Sequence, residues 1–339
     1  MIIRIVIATH GRPALFRRTL DSLAACQLPA GYQGMLVVEN GGRDGVEAIC
    51  SAAPAHLNIR YLYHEAGNKS AALNRALEET GDELLIFLDD DVRLEPQTLC
   101  AYATAAAEAE NRAFFGGPVQ PEYEVPPEPW IRLPLSASGW SLPDGDQEVD
   151  QPLFLGFNWA AWARDLREQG GFDPAVGPGG ASMGRGQESE MQQRLLHSQV
   201  RGQYVSQALV WHYVPTSRCS VEWSIHRVYQ GGIGSALVNG GQNRLLHIFK
   251  SVYRRSRSCL SAIIKIPRPI GYSLHLEATW WRGYAAGCYY LLKHPAGALP
   301  PVRPPQQRNH ASPRNQSCPA TAQRTALQSV SPEADTVSV

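Results

Sequence analysis

Leu84-Leu85-Ile86-Phe87-Leu88-Asp89-Asp90-Asp91-Val92 joins an unbroken apolar run to three consecutive carboxylates. A run of that length, closed by acids, reads as a buried strand that carries negative charge to its C-terminal edge, where open α/β sheets bind ligands. Three adjacent carboxylates repel one another and call for a cation. Hard oxygen ligands at a strand end suit Mg²⁺ or Mn²⁺, ions that commonly share their coordination sphere with substrate phosphates. The competing reading of the triplet on its own is an acidic cap for a helix starting near Pro96.

Working outward, short apolar runs alternate with helix-like stretches through the first hundred residues, the pattern of βαβ units and a mainly parallel sheet. Strands are expected at Ile2 to Ala8, Met35 to Val38, Ile59 to Tyr63 and Leu84 to Leu88. Helices are expected at 13–25, 44–52, 69–79 and 96–109. Pro13 suits a first helical turn, and Gly11 a tight bend before it. The proline-rich stretch Pro118 to Pro134 predicts a long loop over one sheet edge. Beyond it come a helix at Glu188 to Ser198 and short strands at Gln203 to Val205 and Ala208 to His212. Amphipathic helices are expected over 244–292, broken near Pro267-Arg268-Pro269. The Pro-, Gln-, Ser-, Ala- and Thr-rich segment 295–339 predicts disorder.

The 339 residues carry no net charge, but the balance is uneven along the chain. Residues 1–243 hold 18 Lys and Arg against 28 Asp and Glu, whereas 244–294 hold nine basic residues against Glu277 alone. An acidic body does not grip a nucleic-acid backbone, so nucleic acid is excluded as a partner. The basic segment, with Lys250, Arg254, Arg255, Arg257, Lys265 and Arg268 among Leu246, Phe249, Val252 and Leu260, reads either as a peripheral contact with an anionic membrane or as a solvated face of a helical cap. Seven scattered cysteines without a C-x-x-C pair point to a reducing compartment. Ile2 to Ile7 is interrupted by Arg4 and too short for a signal-peptide core, so a cytoplasmic protein, peripheral on the inner face of the cell membrane, is expected.

Three further clusters fall where strand ends converge. Ala8-Thr9-His10-Gly11-Arg12-Pro13 and Val38-Glu39-Asn40-Gly41-Gly42-Arg43-Asp44 each join strand to helix through small or polar residues, as nucleotide-binding turns and ordinary connections both do. Neither is a G-x-G-x-x-G or G-x-x-x-x-G-K-[ST] loop. In Gly67-Asn68-Lys69-Ser70-Ala71-Ala72, Lys69 faces either a phosphate or water.

In their order, these clusters resemble the family 2 glycosyltransferases, and the similarity continues through Gly156-Phe157-Asn158, Gly170-Gly171-Phe172-Asp173, Gly186-Gln187-Glu188-Ser189-Glu190 and Trp211-His212-Tyr213-Val214-Pro215. It covers roughly residues 2–235. The resemblance implies an α/β A-type fold with a nucleotide-binding sheet, a catalytic domain over 1–235 (nucleotide half to about 117, acceptor half 118–235), C-terminal helices over 236–294 and a tail over 295–339. It also implies an inverting transfer from a nucleotide-diphosphate sugar to a glycan or lipid-linked acceptor, with Mg²⁺ or Mn²⁺, in polysaccharide or cell-surface glycoconjugate assembly.

Residue by residue, Asp89 and Asp91 fall on the family's D-x-D pair, with Asp91 as metal ligand, Asp89 near ribose and metal, and Asp90 between them at the nucleotide. Thr9, Arg12 and Lys69 match nucleotide contacts. Glu39 stands where an aspartate commonly meets the base. His212 matches a position that some relatives use for metal or diphosphate, and its other reading is a core histidine. Glu188 is the implied catalytic base, with Glu190 its rival. Trp211, Trp223 and Tyr229 are expected to pack, and Trp159 and Trp162 read either as packing or as platforms for a sugar face. A nucleotidyltransferase or a non-catalytic glycan-binding scaffold are the alternatives.

Overall fold

The computed structural model describes residues 1–110, 112–238 and 268–294. Among them, strands β1 (Ile3–Thr9), β2 (Tyr32–Asn40), β3 (Ile59–His64), β4 (Leu84–Leu88), β6 (Ala113–Gly116), β8 (Gln147–Val149), β9 (Asn158–Trp162) and β10 (Arg201–Tyr204) form one sheet in the order β3-β2-β1-β4-β9-β6-β10-β8. A second sheet has the order β5-β11-β7, from β5 (Val92–Leu94), β7 (Val119–Tyr123) and β11 (Val210–Val214). Helices α1 (Pro13–Ala24), α2 (Val46–Ser51), α3 (Lys69–Leu77), α4 (Thr98–Glu108), α5 (Leu135–Ser138), α6 (Ala163–Glu168), α7 (Gln187–His197), α8 (Val221–Val238) and α9 (Arg268–Lys293) complete the fold.

β1 runs parallel to β2 and β4, and β2 parallel to β3, as the alternating pattern predicts. These strands are apolar almost throughout because helices cover both faces. Ile3, Ile5, Ile7, Leu84, Ile86 and Leu88 turn to the side of Phe16, Leu20 and Leu23 on α1 and Leu99 and Tyr102 on α4. Val6, Leu85 and Phe87 turn to the other side, against Ala72, Leu73, Ala76 and Leu77 on α3 and Met191 and Leu195 on α7. Small residues on α3 let its axis lie close to the sheet, as their spacing predicts.

Beyond β4 the mainly parallel sheet takes up antiparallel strands. β9 lies antiparallel to both β4 and β6, so the large sheet is mixed. Asn158-Trp159-Ala160-Ala161-Trp162 has no β-branched residue and was not expected as a strand. Its Trp159 is fully buried and stacks on Phe87 at 4.8 Å between ring centroids, which fixes it to β4. Pro118 to Pro134 is also not all loop: Val119–Tyr123 pairs with β11 at the margin of the small sheet, where Pro121 costs no ladder bond to a further strand.

The two sheets are tied at Asn158. Its buried amide donates to the carbonyls of Pro118 and Ala208, each at 2.8 Å, and accepts from Tyr102 Oη at 2.7 Å. Of the region 244–292, the described part is α9, which begins at Arg268 with Pro269 in its first turn and lies against α8. Lys250, Arg254, Arg255, Arg257 and Lys265, and the tail 295–339, lie outside the described residues. No helix among the described residues is long and apolar enough to cross a membrane.

Candidate functional site

The parallel register sets Thr9 opposite Glu39 and Ile7 opposite Leu88, so the residues after β1, β2 and β4 emerge side by side. The second sheet meets this edge. β5 follows the acidic turn directly and pairs antiparallel with β11, with His212 opposite Val92, one residue from Asp91. Between these strand ends and α8 lies a cavity of about 570 Å³. Thr9, Arg12, Lys69, Asp89, Asp91 and His212 line it, so the fold gathers six of the expected site residues from four separate segments.

The three aspartates are not equivalent. Asp90 is completely buried and does not line the cavity: it accepts from Thr9 Oγ1 at 2.6 Å and pairs with Arg12. Burial, against the opposing pull of Arg12, pushes its carboxyl up to about 6. Asp91 accepts from Arg12 Nη1 at 2.5 Å, with Arg218 Nη1 and His212 Nε2 each at 3.4 Å. Burial alone would raise its carboxyl, but His212, Arg12 and Arg218 outweigh burial and hold it well below the usual carboxylate range. Asp89 is partly exposed and pairs with Lys69. Lys69 opens α3, whose first turn Asn68 caps by accepting from Ala71 N at 2.9 Å.

Among the described residues no group of three or more His, Cys, Asp and Glu stands where it could hold a metal ion. The cavity offers a pair. His212 Nδ1 lies 2.6 Å from the carbonyl of Ser136, which only accepts, so Nδ1 carries a proton and Nε2 is the nitrogen that faces Asp91. Asp91 Oδ1 is buried without a hydrogen-bond donor. Phe157 stacks on His212 at 4.4 Å and fixes the ring plane. One carboxylate oxygen and one imidazole nitrogen at the wall of a wet cavity fit a divalent cation whose remaining ligands are substrate oxygens.

Glu39 is buried away from the cavity, accepting from Asp44 N at 2.6 Å and from Tyr61 Oη at 2.5 Å. It organises the loop after β2; the lining residue there is Asn40, whose amide donates to the Thr9 carbonyl at 2.8 Å. Glu188, in the first turn of α7, is half-buried against Gly156, where a Cβ would come within 3.0 Å of its carboxyl carbon. It does not itself line the cavity, whereas Phe157, next to its Gly156 contact, and Arg185, three residues before it, do. Glu190 is held in a fork by Arg194, both bonds at 2.6 Å, and Arg194 also binds the carbonyls of Gln169 and Gly171. That carboxylate is committed to the fold.

Sequence reasoning missed His10, Arg185, Arg218, Trp223, His226, Arg227 and Gln230, all of which line the cavity. Trp223 therefore faces the site, contrary to expectation, whereas Trp159 is core and Trp211 donates from Nε1 to Glu95 at 2.6 Å. Of these, His10 lies within the 8–13 cluster and Arg185 two residues before Gln187-Glu188, and the others carried no local signal. Gly179 adds a close approach: at φ +79°, a Cβ there would lie 1.8 Å from the Gly67 carbonyl. This lets the loop before α7 lie against the start of α3, with Lys69 N donating to Pro178 O at 3.0 Å.

Residues 4–163 match the family described as Glycosyl transferase family 2. An uncharacterised glycosyltransferase of Mycoplasma pneumoniae, the MG060 homolog, is 30% identical over 115 residues, which are 32% of this chain and 38% of that protein. The chain thus matches well under half the length of that curated relative. Among solved structures, the mannosyltransferase PcManGT from Pyrobaculum calidifontis in complex with GDP-Man and Mn²⁺ aligns with a TM-score of 0.52 at 17% identity, over 87% of this chain and 76% of that one. GalNAc-T7 with UDP, GalNAc and Mn²⁺ aligns with a TM-score of 0.51 at 12% identity, over 71% and 51%.

Proposed function

We propose that this chain, whose residues 4–163 form a family 2 glycosyltransferase module on an A-type fold, moves a sugar from a nucleotide-diphosphate donor to an acceptor hydroxyl with inversion at the anomeric carbon. The observation that carries the reading is the cavity at the ends of β1 and β4. It combines the Asp91–His212 pair with the cations Arg12, Lys69 and Arg218 in one concave space sized for a nucleotide sugar.

Asp91 and His212 would hold the divalent cation, with Asp89 close by, and when bound the ion supplies Lewis-acid stabilisation of the departing diphosphate. Lys69, Arg12 and Arg218 add fixed positive charge around the same oxygens without reorganising during the reaction. Thr9 and Asn40 shape the floor on which the nucleoside rests, and Asp90 acts through Arg12, which it orients. Glu39 acts at one remove by fixing the loop beside the base, a change from the direct base contact that the resemblance implies.

At the reacting centre, the acceptor oxygen bonds to the anomeric carbon as the carbon–oxygen bond to the diphosphate breaks. The hydroxyl proton passes to the Glu188 carboxylate, and the nucleoside diphosphate leaves with the electron pair. Glu188 is preferred to Glu190 because the latter is forked to Arg194. The acceptor is read as a growing glycan or a lipid-linked sugar, with the basic segment 244–292 resting on an anionic membrane surface.

A screen of nucleotide sugars with and without Mn²⁺ tests this directly. One donor is expected to show slow Mn²⁺-dependent hydrolysis, and Glu188→Gln is expected to keep donor affinity while transfer falls on the order of a hundredfold or more. Full transfer by Glu188→Gln would remove Glu188 from the base role, and hydrolysis of no donor would oppose the reading as a whole.

A further inference from the structure

The charges around the cavity do not balance within the site just described. Arg12 and Arg218 face Asp91, and Lys69 faces Asp89. On the opposite wall, built by the loop before α7 and by α8, Arg185 and Arg227 also line the cavity, and among the described residues neither forms an ion pair. Arg185 is held in place by close packing. Arg185 Nε donates to Gln230 Oε1 at 3.2 Å, and Gly234 of α8 lies so near the Arg185 carbonyl that a Cβ there would stand 1.7 Å from its oxygen.

Desolvation holds both guanidinium groups below their ordinary value, Arg227 at about 10. Both cations are partly screened from water at the cavity wall and neither has a carboxylate in ion-pair contact among the described residues, so an anion brought by a ligand would be favoured there. Arg185 stands three residues before Glu188, and Glu188 is the carboxylate whose charge both arginines feel most, with Asp89 and Arg218 also in range, so this wall reaches from the Glu188 side toward the diphosphate end of the same cavity.

We propose that Arg185 and Arg227 form a second anion subsite that takes a carboxylate or phosphate monoester carried beside the reacting centre, either by the sugar being moved or by the acceptor. This rests on the transferase reading of the same cavity and narrows it to acidic substrates. The planar forks of two arginines on one wall suit bidentate recognition of either group. Neutral sugars leave both cations unmatched, which makes the subsite a source of specificity as well as affinity.

The test uses the full chain saturated with a nucleoside diphosphate and Mn²⁺, titrated by calorimetry with glucuronate, glycerol 3-phosphate, and neutral glucose and glycerol. One of the two anions is expected to bind the loaded protein while its neutral counterpart does not. Binding of glucuronate assigns the anion to a sugar acid, and binding of glycerol 3-phosphate assigns it to a phosphorylated acceptor. Arg227→Gln is expected to weaken that anion by at least about tenfold, Arg227→Lys by less, with nucleoside diphosphate affinity unchanged. Arg185→Gln serves as the second variant, and unchanged melting of both shows that they fold. Failure of both anions to bind the loaded protein, or loss of nucleoside diphosphate affinity in Arg227→Gln and Arg185→Gln, overturns the subsite. Failure of the nucleoside diphosphate itself to bind with Mn²⁺ is a different result and removes the reading beneath it.

Discussion

Asp90 and Asp91 are chain neighbours, both buried, yet their surroundings push their carboxyls in opposite directions: Asp90 sits under Thr9 and Arg12, while Asp91 faces His212, Arg12 and Arg218 across the cavity wall. The triplet was legible because it ends an apolar run, but which acid turns inward depends on the bend into β5, and three residues of strand leave almost no pattern to read. Arg218 and Arg227 were illegible for a different reason. An arginine on a helix or loop is chemically ordinary until the fold carries it to the cavity, as it carries Arg218 back to Asp91. In sequence Glu188 was the implied base and Glu190 its rival, and the Arg194 fork gives the two carboxylates different surroundings. Glu190→Gln is expected to cost about 1–3 kcal/mol of stability, since Arg194 also braces Gln169 and Gly171. Transfer by the folded fraction should persist. Urea denaturation alongside a transfer assay checks this, and lost transfer at full stability would return Glu190 to the base role.

Among the elements, β1 to β4 and α1 to α4 were readable because hydrophobic period and turn chemistry agree there. β9 was not, since its alanines and tryptophans mark no period and its place depends on Phe87 and Asn158 partners far along the chain. β7 was hidden by Pro121, which is harmless only because no strand lies beyond it. The pairing of β3 with α3 offers a pH test. Glu79 accepts from Arg75 at 2.6 Å and from Arg60 at 2.5 Å. Burial tends to raise its carboxyl, but the bonds from Arg75 and Arg60 outweigh burial and lower it from 4.5. A depressed folded value means stability that is present above 4.5 and lost as pH falls through the folded value. Because Arg60 is more than half exposed, solvent screening limits the gain to about 0.5–1 kcal/mol. Glu79→Gln is therefore expected to be less stable than the parent chain at pH 7, with the gap closing in acid. An equal gap at pH 7 and pH 3 in urea denaturation would show that the bonds contribute nothing through charge.

For the whole molecule, two sheets joined through Asn158 create a cavity that neither contains alone: the large sheet supplies Thr9 and, just past β4, Asp89, α3 supplies Lys69, and the small sheet brings His212 to Asp91. The half built from β1 to β4 was foreseeable from the parallel pattern, whereas the closing wall on α8 required the folded chain. The basic residues of 244–267 lie outside the described structure, and their proposed membrane contact is tested by flotation with anionic vesicles. Arg254→Glu with Arg255→Glu should weaken association markedly and neutral vesicles should not bind; equal recovery on neutral and anionic vesicles would sink the idea. The central claim is narrower: a diphosphate and a divalent cation share the Asp91–His212 end of this cavity. Calorimetry of a nucleoside diphosphate against the parent chain and Asp91→Asn, with and without Mn²⁺, addresses it most directly. Binding is expected only with Mn²⁺ and only to the parent, with a loss of about a hundredfold in the variant. Equal affinity without the metal, or in Asp91→Asn, would contradict it.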